Sequence, residues 1–326
     1  MKDPELRDNP PAPPGFVSGL HPRMPYDSQI HVNDMAHPDV HEVFREMRAL
    51  VDEYPDRYTV GEITDHDLGV WASYYGDGDE LHMPFNFTLM HEPWDAAAYR
   101  RAVEAVEAVV PDRSWPNYVL GNHDVTRIAT RAGSPRRARV AMMLLLTLRG
   151  TPTMYYGDEI GMVQAPIPED RIQDPWALRE PGQGRDGCRT PMLWSSEGGD
   201  HGFGSEGPWL PFGPLAGVTG VADQAADPRS MLSLTKALLA LRRAEPALHR
   251  GSFRVHDDEP SGCFAYRRRE GEDVFLVALN FTSDPVDLDP GGAGTVVVST
   301  EMDREGEAVS GSLRLRPDEG VVVRRR

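Results

Sequence analysis

Two short apolar runs end on a carboxylate, and these carboxylates are the groups of the chain best placed to do chemistry. Tyr58-Thr-Val-Gly-Glu-Ile63 contains Glu62, and Tyr118-Val-Leu-Gly-Asn-His-Asp124 ends on Asp124. Ligands of parallel α/β sheets bind at the carboxyl ends of the strands. We therefore expect Glu62 and Asp124 to converge on one pocket, which predicts a two-carboxylate active site.

The elements that must position these carboxylates alternate along the first 250 residues. Apolar residues at helical spacing predict a helix that is capped by Asp39 and stopped by Pro55, and Ser134 with Pro135 predicts the start of another helix. Four apolar runs predict strands at 58–63, 83–87, 118–121 and 153–156. This rhythm is typical of βα units, but a closed barrel needs eight strands.

The pattern changes after Gly251, where short β-rich runs alternate with turn residues. We therefore predict a barrel-type domain over residues 1–250, with a long loop excursion at about 157–226. A small antiparallel β domain is predicted over residues 251–326.

Composition excludes several function classes. The 326 residues carry 34 Lys plus Arg against 51 Asp plus Glu, a formal charge of −17, which opposes binding to nucleic acid or to anionic membranes. No stretch approaches the roughly 20 apolar residues that span a bilayer, and residues 1–15 do not resemble a signal peptide. Cys188 and Cys263 stand far apart without a CxxC partner, which favours a reducing, cytoplasmic location.

Five strings resemble glycoside hydrolase family 13, in its bacterial α-glucosidase and oligo-1,6-glucosidase branch. In chain order they are Val60-Gly-Glu-Ile63, Met83-Pro-Phe-Asn-Phe87, Gly121-Asn-His-Asp124, Met154-Tyr-Tyr-Gly-Asp-Glu-Ile-Gly161 and Gly184-Arg-Asp-Gly-Cys-Arg-Thr-Pro-Met192. The resemblance implies an α/β fold, namely a partial (β/α)8 TIM barrel of strands five to eight followed by a small antiparallel β-sandwich.

The resemblance also implies that the family's nucleophile is missing. That aspartate follows strand four in a Gly-Phe-Arg-x-Asp-Val string, which this sequence does not contain. The segment Lys2-Asp-Pro-Glu-Leu-Arg-Asp8 resembles the sequence that follows strand four in the family.

The resemblance assigns roles to four residues. Glu62 becomes the acid/base, which requires a pKa raised by partial burial and by neighbouring carboxylates. Asp124 holds the sugar hydroxyls more tightly as the oxocarbenium-like transition state forms, and His123 donates to the same ring. Arg189 either reaches that sugar or pairs with Asp186 within its loop.

For several other residues the sequence leaves both a functional and a structural role open. Arg127 either orients Asp124 or lies on a helix surface, and Phe85 fits the core better than a sugar-stacking platform. Asp158 and Glu159 are expected to fix a turn after the fourth strand. Trp176 and Trp194 either line subsites or anchor loops.

The resulting expectation is a retaining α-glucosidase-type hydrolase that acts on α-glucosidic bonds of malto- or isomalto-oligosaccharides or of sucrose. It implies an oligosaccharide or disaccharide partner, no cofactor and no metal. One alternative is a catalytically inactive, truncated fragment, at best a weak sugar-binding remnant. Another is a transglucosylase or sucrose isomerase on the same scaffold. An open barrel edge further predicts self-association.

Overall fold

The computed structural model describes residues 3–14, 28–63, 65, 67–180, 182–204, 207–213 and 219–325. It divides into two compact units, Met1–Asn86 with Glu104–Asn117, and Phe87–Val103 with Tyr118–Arg326. The predicted boundary after residue 250 does not coincide with this division and stays a prediction.

The first unit contains a short parallel sheet. Its elements are α1 Val40–Asp52, β1 Val60–Gly61, α2 Leu68–Ser73 and β2 Met83–Pro84. β1 pairs with β2 so that Val60 lies opposite Met83. Directly after β2, the backbone N–H of Phe85 donates to the Gly61 carbonyl over 2.7 Å, which extends this contact by one residue. The two predicted strands are therefore present, although each is shorter than predicted.

Helix α1 corrects one expectation. Its apolar stripe forms as predicted, but no residue of α1 is buried. Asp39 makes no side-chain capping bond, because its backbone has helical angles (φ −63°, ψ −16°) rather than the extended angles of a capping residue. The predicted Asp39 cap is therefore wrong, although the helix begins where it was expected.

Among the described residues, ten α-helices and strands that lie wholly or partly in the second unit precede the C-terminal sheet. They are α3 Thr88–His91, α4 Ala96–Val109, β3 Asn117–Val119, α5 Ile128–Ala132, α6 Pro135–Thr147, β4 Thr151–Thr153, α7 Pro175–Arg179, α8 Val221–Ala226, α9 Met231–Ala244 and α10 Pro246–His249. The division between the units falls within α4 and within β3. β3 pairs with β4 in a two-stranded sheet. β4 ends before Tyr155 and Tyr156, whereas we predicted a strand over 153–156.

Helix α6 is held at both ends. The Ser134 hydroxyl accepts from the Arg137 backbone N–H over 3.2 Å, with Pro135 in the first turn, as predicted. At the other end, Arg242 donates to the Leu146 and Leu148 carbonyls, and Arg268 donates to the Thr147 carbonyl over 2.6 Å. These buried guanidinium groups satisfy carbonyls that a helix end otherwise leaves unpaired, and their charge suits the negative end of the helix.

The C-terminal antiparallel sheet is confirmed. The remaining strands are β5 Ser252–Val255, β6 Cys263–Glu270, β7 Asp273–Asn280, β8 Val286–Leu288, β9 Gly294–Ser299, β10 Ala308–Val309, β11 Leu313–Leu315 and β12 Gly320–Arg325. Six of them form one sheet in the order β10-β9-β12-β7-β6-β5, and β8 pairs with β11 in a second sheet. Apolar residues of both sheets share one buried core, including Ala265, Leu276 and Leu288. The partial barrel of strands five to eight stays a prediction.

Among the described residues, no helix combines the length and the apolarity that crossing a bilayer requires.

Candidate active site

Asp124 follows strand β3 by five residues and presents a partly exposed carboxylate that two arginines bind. Its Oδ1 accepts from Arg189 Nη2 over 2.9 Å and from Arg185 Nη1 over 3.0 Å. Its Oδ2 lies 3.3 Å from His123 Nε2, and the side chain keeps 40% of its exposure. The carboxylate is therefore held in place while one side of it stays accessible to a ligand.

Arg189 also fixes the backbone beside Asp124, because its Nε donates to the His123 carbonyl over 2.8 Å. Its side chain bonds Asp124, whereas Asp186 accepts the backbone N–H groups of Gln173 and Asp174 over 2.7 and 2.9 Å. The predicted pairing of Arg189 with Asp186 is therefore not the one that forms. The loop that carries Arg189 is instead fastened to the Asn-His-Asp segment.

Arg185 connects Asp124 to a second, buried carboxylate. Its Nε and Nη2 bind Asp174 over 2.8 and 3.0 Å, in a two-pronged ion pair. Hydrogen bonds from Arg185 lower the pKa of Asp174 well below its ordinary value. Asp174 also caps α7 by accepting from the Trp176 backbone N–H over 3.0 Å. A capped helix therefore anchors one of the two arginines that orient Asp124.

Arg127 plays neither of the roles predicted for it. It is 1% exposed, which excludes a surface position, and its Nη1 donates to the Tyr156 carbonyl over 2.7 Å rather than to Asp124. Its guanidinium carbon lies 5.1 and 4.8 Å from the ring centroids of Tyr155 and Tyr156. Asp158 Oδ1 lies 3.9 Å from Arg127 Nη1. Arg127 thus stabilises the chain after β4. The Tyr156 hydroxyl in turn donates to the Thr190 carbonyl over 2.6 Å, which connects this segment to the loop that carries Arg189.

Asp158 lies in the turn that we predicted it would fix. The turn runs over Asp158–Ile160 between Gly157 (φ +86°) and Gly161 (φ +72°), and a side chain on Gly157 would meet Met162 and Arg127. Burial raises the pKa of Asp158 to about 7, and Arg127 opposes that rise.

The raised pKa of Asp158 predicts a pH-dependent stability. The folded-state pKa of Asp158 lies above its ordinary value of 3.8. The contribution of Asp158 to the free energy of unfolding is therefore complete below about pH 4 and is lost as the pH rises to about 7. The free energy of unfolding of Asp158→Asn, measured with urea, should exceed that of the parent protein. This difference should be about 2 kcal/mol larger at pH 8 than at pH 5. An advantage that does not change between these pH values contradicts the assignment.

Glu62 lies in the first unit, directly after β1. Its side chain is exposed at a depression of about 240 Å³, which Asp34 and Asp65 also line. The apolar part of the wall comes from Phe44 and Tyr74, among others. Glu62 thus shares this depression with two other carboxylates and is not buried there, and its role as the acid/base stays a prediction. Phe85 is half-buried.

The family is decided by the match to a family model described as alpha amylase, catalytic domain, which covers residues 17–251. The chain belongs to the alpha-amylase family. This confirms the resemblance to glycoside hydrolase family 13 and gives the chain the fold of that family's catalytic domain, followed by the antiparallel sheet.

Relatives within the alpha-amylase family include a probable alpha-glucosidase of Rhizobium meliloti (strain 1021). It is 33% identical over 289 residues, which are 84% of this chain and 52% of that protein. An oligo-1,6-glucosidase of Halalkalibacterium halodurans is 28% identical, over 94% of this chain and 62% of that protein. The crystal structure of an alpha-glucosyl transfer enzyme, XgtA, superposes with a TM-score of 0.87 at 34% identity, over 100% of this chain and 62% of that one. The chain thus spans about half to three fifths of the length of these relatives.

Two residues of the Asp124 cluster were missed by sequence reasoning, namely Asp174 and Arg185. Arg185 lies inside one of the five strings, but the string does not say which carboxylates it binds. Asp174 precedes Pro175, and an acidic residue before a proline is a common helix start. That signal predicts the cap and not the ion pair.

Proposed function

We propose that the chain forms part of a retaining enzyme that acts on α-glucosidic bonds of oligosaccharides or disaccharides. Glu62 serves as the acid/base that protonates the departing oxygen. Asp124, with His123 and Arg189, binds the sugar hydroxyls and stabilises positive charge on the ring in the transition state. Membership in the alpha-amylase family and the names of the relatives support the substrate class.

The observation that carries this proposal is the environment of Asp124. A carboxylate that two guanidinium groups hold at 2.9 and 3.0 Å is oriented without help from substrate. The exposed side of the same carboxylate remains free to accept hydroxyl groups. Such preorganised charge is what stabilises a developing cation.

Transfer of glucosyl groups is the second candidate. It is favoured by the high structural similarity to the alpha-glucosyl transfer enzyme. Hydrolysis and transfer share the glycosyl-enzyme step and differ in whether water or a sugar hydroxyl attacks it. Product analysis therefore separates them.

The test is an assay of this chain and of the open reading frame in which it occurs, with maltose, isomaltose and sucrose as substrates. Release of glucose supports hydrolysis, and longer or rearranged products support transfer.

A retaining cycle needs a nucleophile, and the resemblance assigns none to this chain. We therefore expect the chain by itself to release no measurable p-nitrophenol from p-nitrophenyl α-glucoside. Turnover by the chain alone that Glu62→Gln abolishes contradicts that expectation. An inactive reading frame supports a sugar-binding remnant instead.

We also propose that the isolated chain self-associates. Among the described residues its β1–β2 sheet has two strands, and a sheet this narrow exposes backbone groups at its edges. Helix α1 adds exposed apolar side chains, because Val43, Met47 and Leu50 are 38%, 45% and 56% exposed. Light scattering after size exclusion should detect dimers or larger species, whereas a monodisperse, sharply melting monomer contradicts this proposal.

A further inference from the structure

Four arginines surround a depression of about 310 Å³ on the C-terminal sheet of the second unit. Its wall consists of Ser252, Arg254, Arg267, Arg269, Val274 and Arg325. No step of the proposed glucoside chemistry uses any of these residues.

The strand register explains why the arginines meet. Arg267 and Arg269 are two residues apart on β6, so they point to the same face, and Arg254 of β5 lies opposite Arg267. Cys263 and Ala265 precede them with the same alternation and pack in the core between the sheets. The arginines thus continue the core face of the sheet. Like charges opposite each other on neighbouring strands are unfavourable.

Few carboxylates offset this charge. Among the described residues, Arg267 and Arg269 form no ion pair within 4.0 Å, and Arg254 lies 3.6 Å from Asp257, whose side chain is 66% exposed. The Nε atoms of Arg267 and Arg325 are buried without a hydrogen-bond acceptor. The arrangement leaves donors available in a chain whose net charge is −17.

The guanidinium groups of Arg267 and Arg325 approach the same point of the backbone. A Cβ on Gly291 would lie 2.7 Å from Arg267 Nη2 and 3.4 Å from Arg325 Nη1, and Gly291 has a φ of +69°. Arg325 also donates to the Pro290 and Gly291 carbonyls, which hold it beside Arg267. Burial, with a smaller effect of Arg267, lowers the pKa of Arg325. Main-chain carbonyls thus hold Arg325 beside Arg267, and the carboxylate of Asp289 offsets part of the charge of Arg325.

We propose that this arginine cluster is a binding site for a tetrahedral oxyanion, either inorganic phosphate or the phosphate group of a phosphorylated sugar. The planar guanidinium donates two parallel hydrogen bonds to such a group, and several guanidinium groups around one depression surround its oxygens. A polyanion such as nucleic acid is disfavoured, because the net charge of −17 repels it at long range. A depression of about 310 Å³ has room for a phosphate group or for a phosphorylated sugar.

The proposal is tested by titrating the protein calorimetrically with sodium phosphate at constant ionic strength. We expect saturable binding with one site and a Kd of about 1 mM or tighter. Arg267→Gln should weaken binding by about tenfold or more, since each charge-assisted hydrogen bond is strong. Heat that does not saturate overturns the proposal.

Two further variants distinguish phosphate binding at this cluster from a general effect of the protein's charge on phosphate binding. Arg254→Gln removes an arginine whose side chain is 75% exposed, so it should fold normally and weaken binding at least about threefold. Arg314→Gln removes a similarly exposed arginine that pairs with Asp287 at 3.3 Å on the small sheet, and it should leave the Kd unchanged. If Arg267→Gln misfolds, Arg254→Gln decides. Equal weakening by Arg254→Gln and Arg314→Gln overturns the proposal.

A parallel titration with glucose 6-phosphate identifies the source of the oxyanion. Tighter binding than inorganic phosphate, lost in Arg254→Gln, supports a phosphorylated sugar as the ligand. Equal or weaker binding with the same dependence on Arg254 supports free phosphate. Sugar phosphate binding that is insensitive to Arg254→Gln, with no binding of phosphate, overturns the site.

Discussion

Replacing Glu62 by glutamine in the active reading frame is expected to lower kcat/KM for maltose by about 10³-fold. Glutamine keeps the size of the side chain but has no proton to give to the departing oxygen. The sugar hydroxyl that leaves from maltose is a poor leaving group and depends on this proton. Steady-state kinetics on maltose measure the effect, with Glu46→Gln on the exposed face of α1 as a matched control.

The leaving group provides a sharper readout for Glu62. 2,4-Dinitrophenolate departs as a stable anion and needs little protonation, so kcat/KM for 2,4-dinitrophenyl α-glucoside should fall by less than about tenfold in Glu62→Gln. A structural defect would lower kcat/KM equally for both substrates. Equal losses on maltose and on the dinitrophenyl substrate therefore contradict the acid/base role.

Replacing Asp124 by asparagine is expected to lower kcat/KM by about 10²- to 10³-fold for both substrates. The neutral amide cannot stabilise positive charge on the sugar ring, and hydrogen bonds that strengthen in the transition state contribute several kcal/mol. Arg185 and Arg189 also lose the charge to which they donate at 3.0 and 2.9 Å. The same kinetics, measured on maltose and on the dinitrophenyl glucoside, test this prediction.

The contrast between the two variants separates their roles. Asp124→Asn acts on the ring and should be insensitive to the leaving group, whereas Glu62→Gln should be strongly sensitive to it. Asp170→Asn, an exposed aspartate in the same unit as Asp124, serves as the control and should retain parental kinetics. A loss below tenfold in Asp124→Asn contradicts its assignment to the transition state.

Anchoring of Asp124 extends well beyond the residues that touch it. Arg185 is held by the buried carboxylate of Asp174, and the loop of Arg189 rests on the Tyr156 hydroxyl through the Thr190 carbonyl. The orientation of the Asp124 carboxylate thus depends on a capped helix and on a buried arginine at position 127. Substitutions at these supports should affect Asp124 without removing a contact to substrate.

Local sequence patterns predicted helices α1 and α6, the short strands of the first 250 residues, the C-terminal sheet and the family. Ser134 with Pro135 marked the start of α6, and the β-rich runs after Gly251 marked the C-terminal sheet, because capping and alternation depend on neighbours within a few residues. Five ordered strings were enough to place the chain in the alpha-amylase family.

Tertiary structure decided which charges meet and which faces are covered. The spacing of apolar residues in α1 predicts an amphipathic helix, yet nothing in that spacing says that the face stays exposed. Likewise, the pairs Asp174–Arg185 and Asp124–Arg189 join residues 11 and 65 positions apart through loops without regular periodicity. Periodicity records local geometry, whereas ion pairs between loops depend on the path of the whole chain, so only the folded structure specifies them.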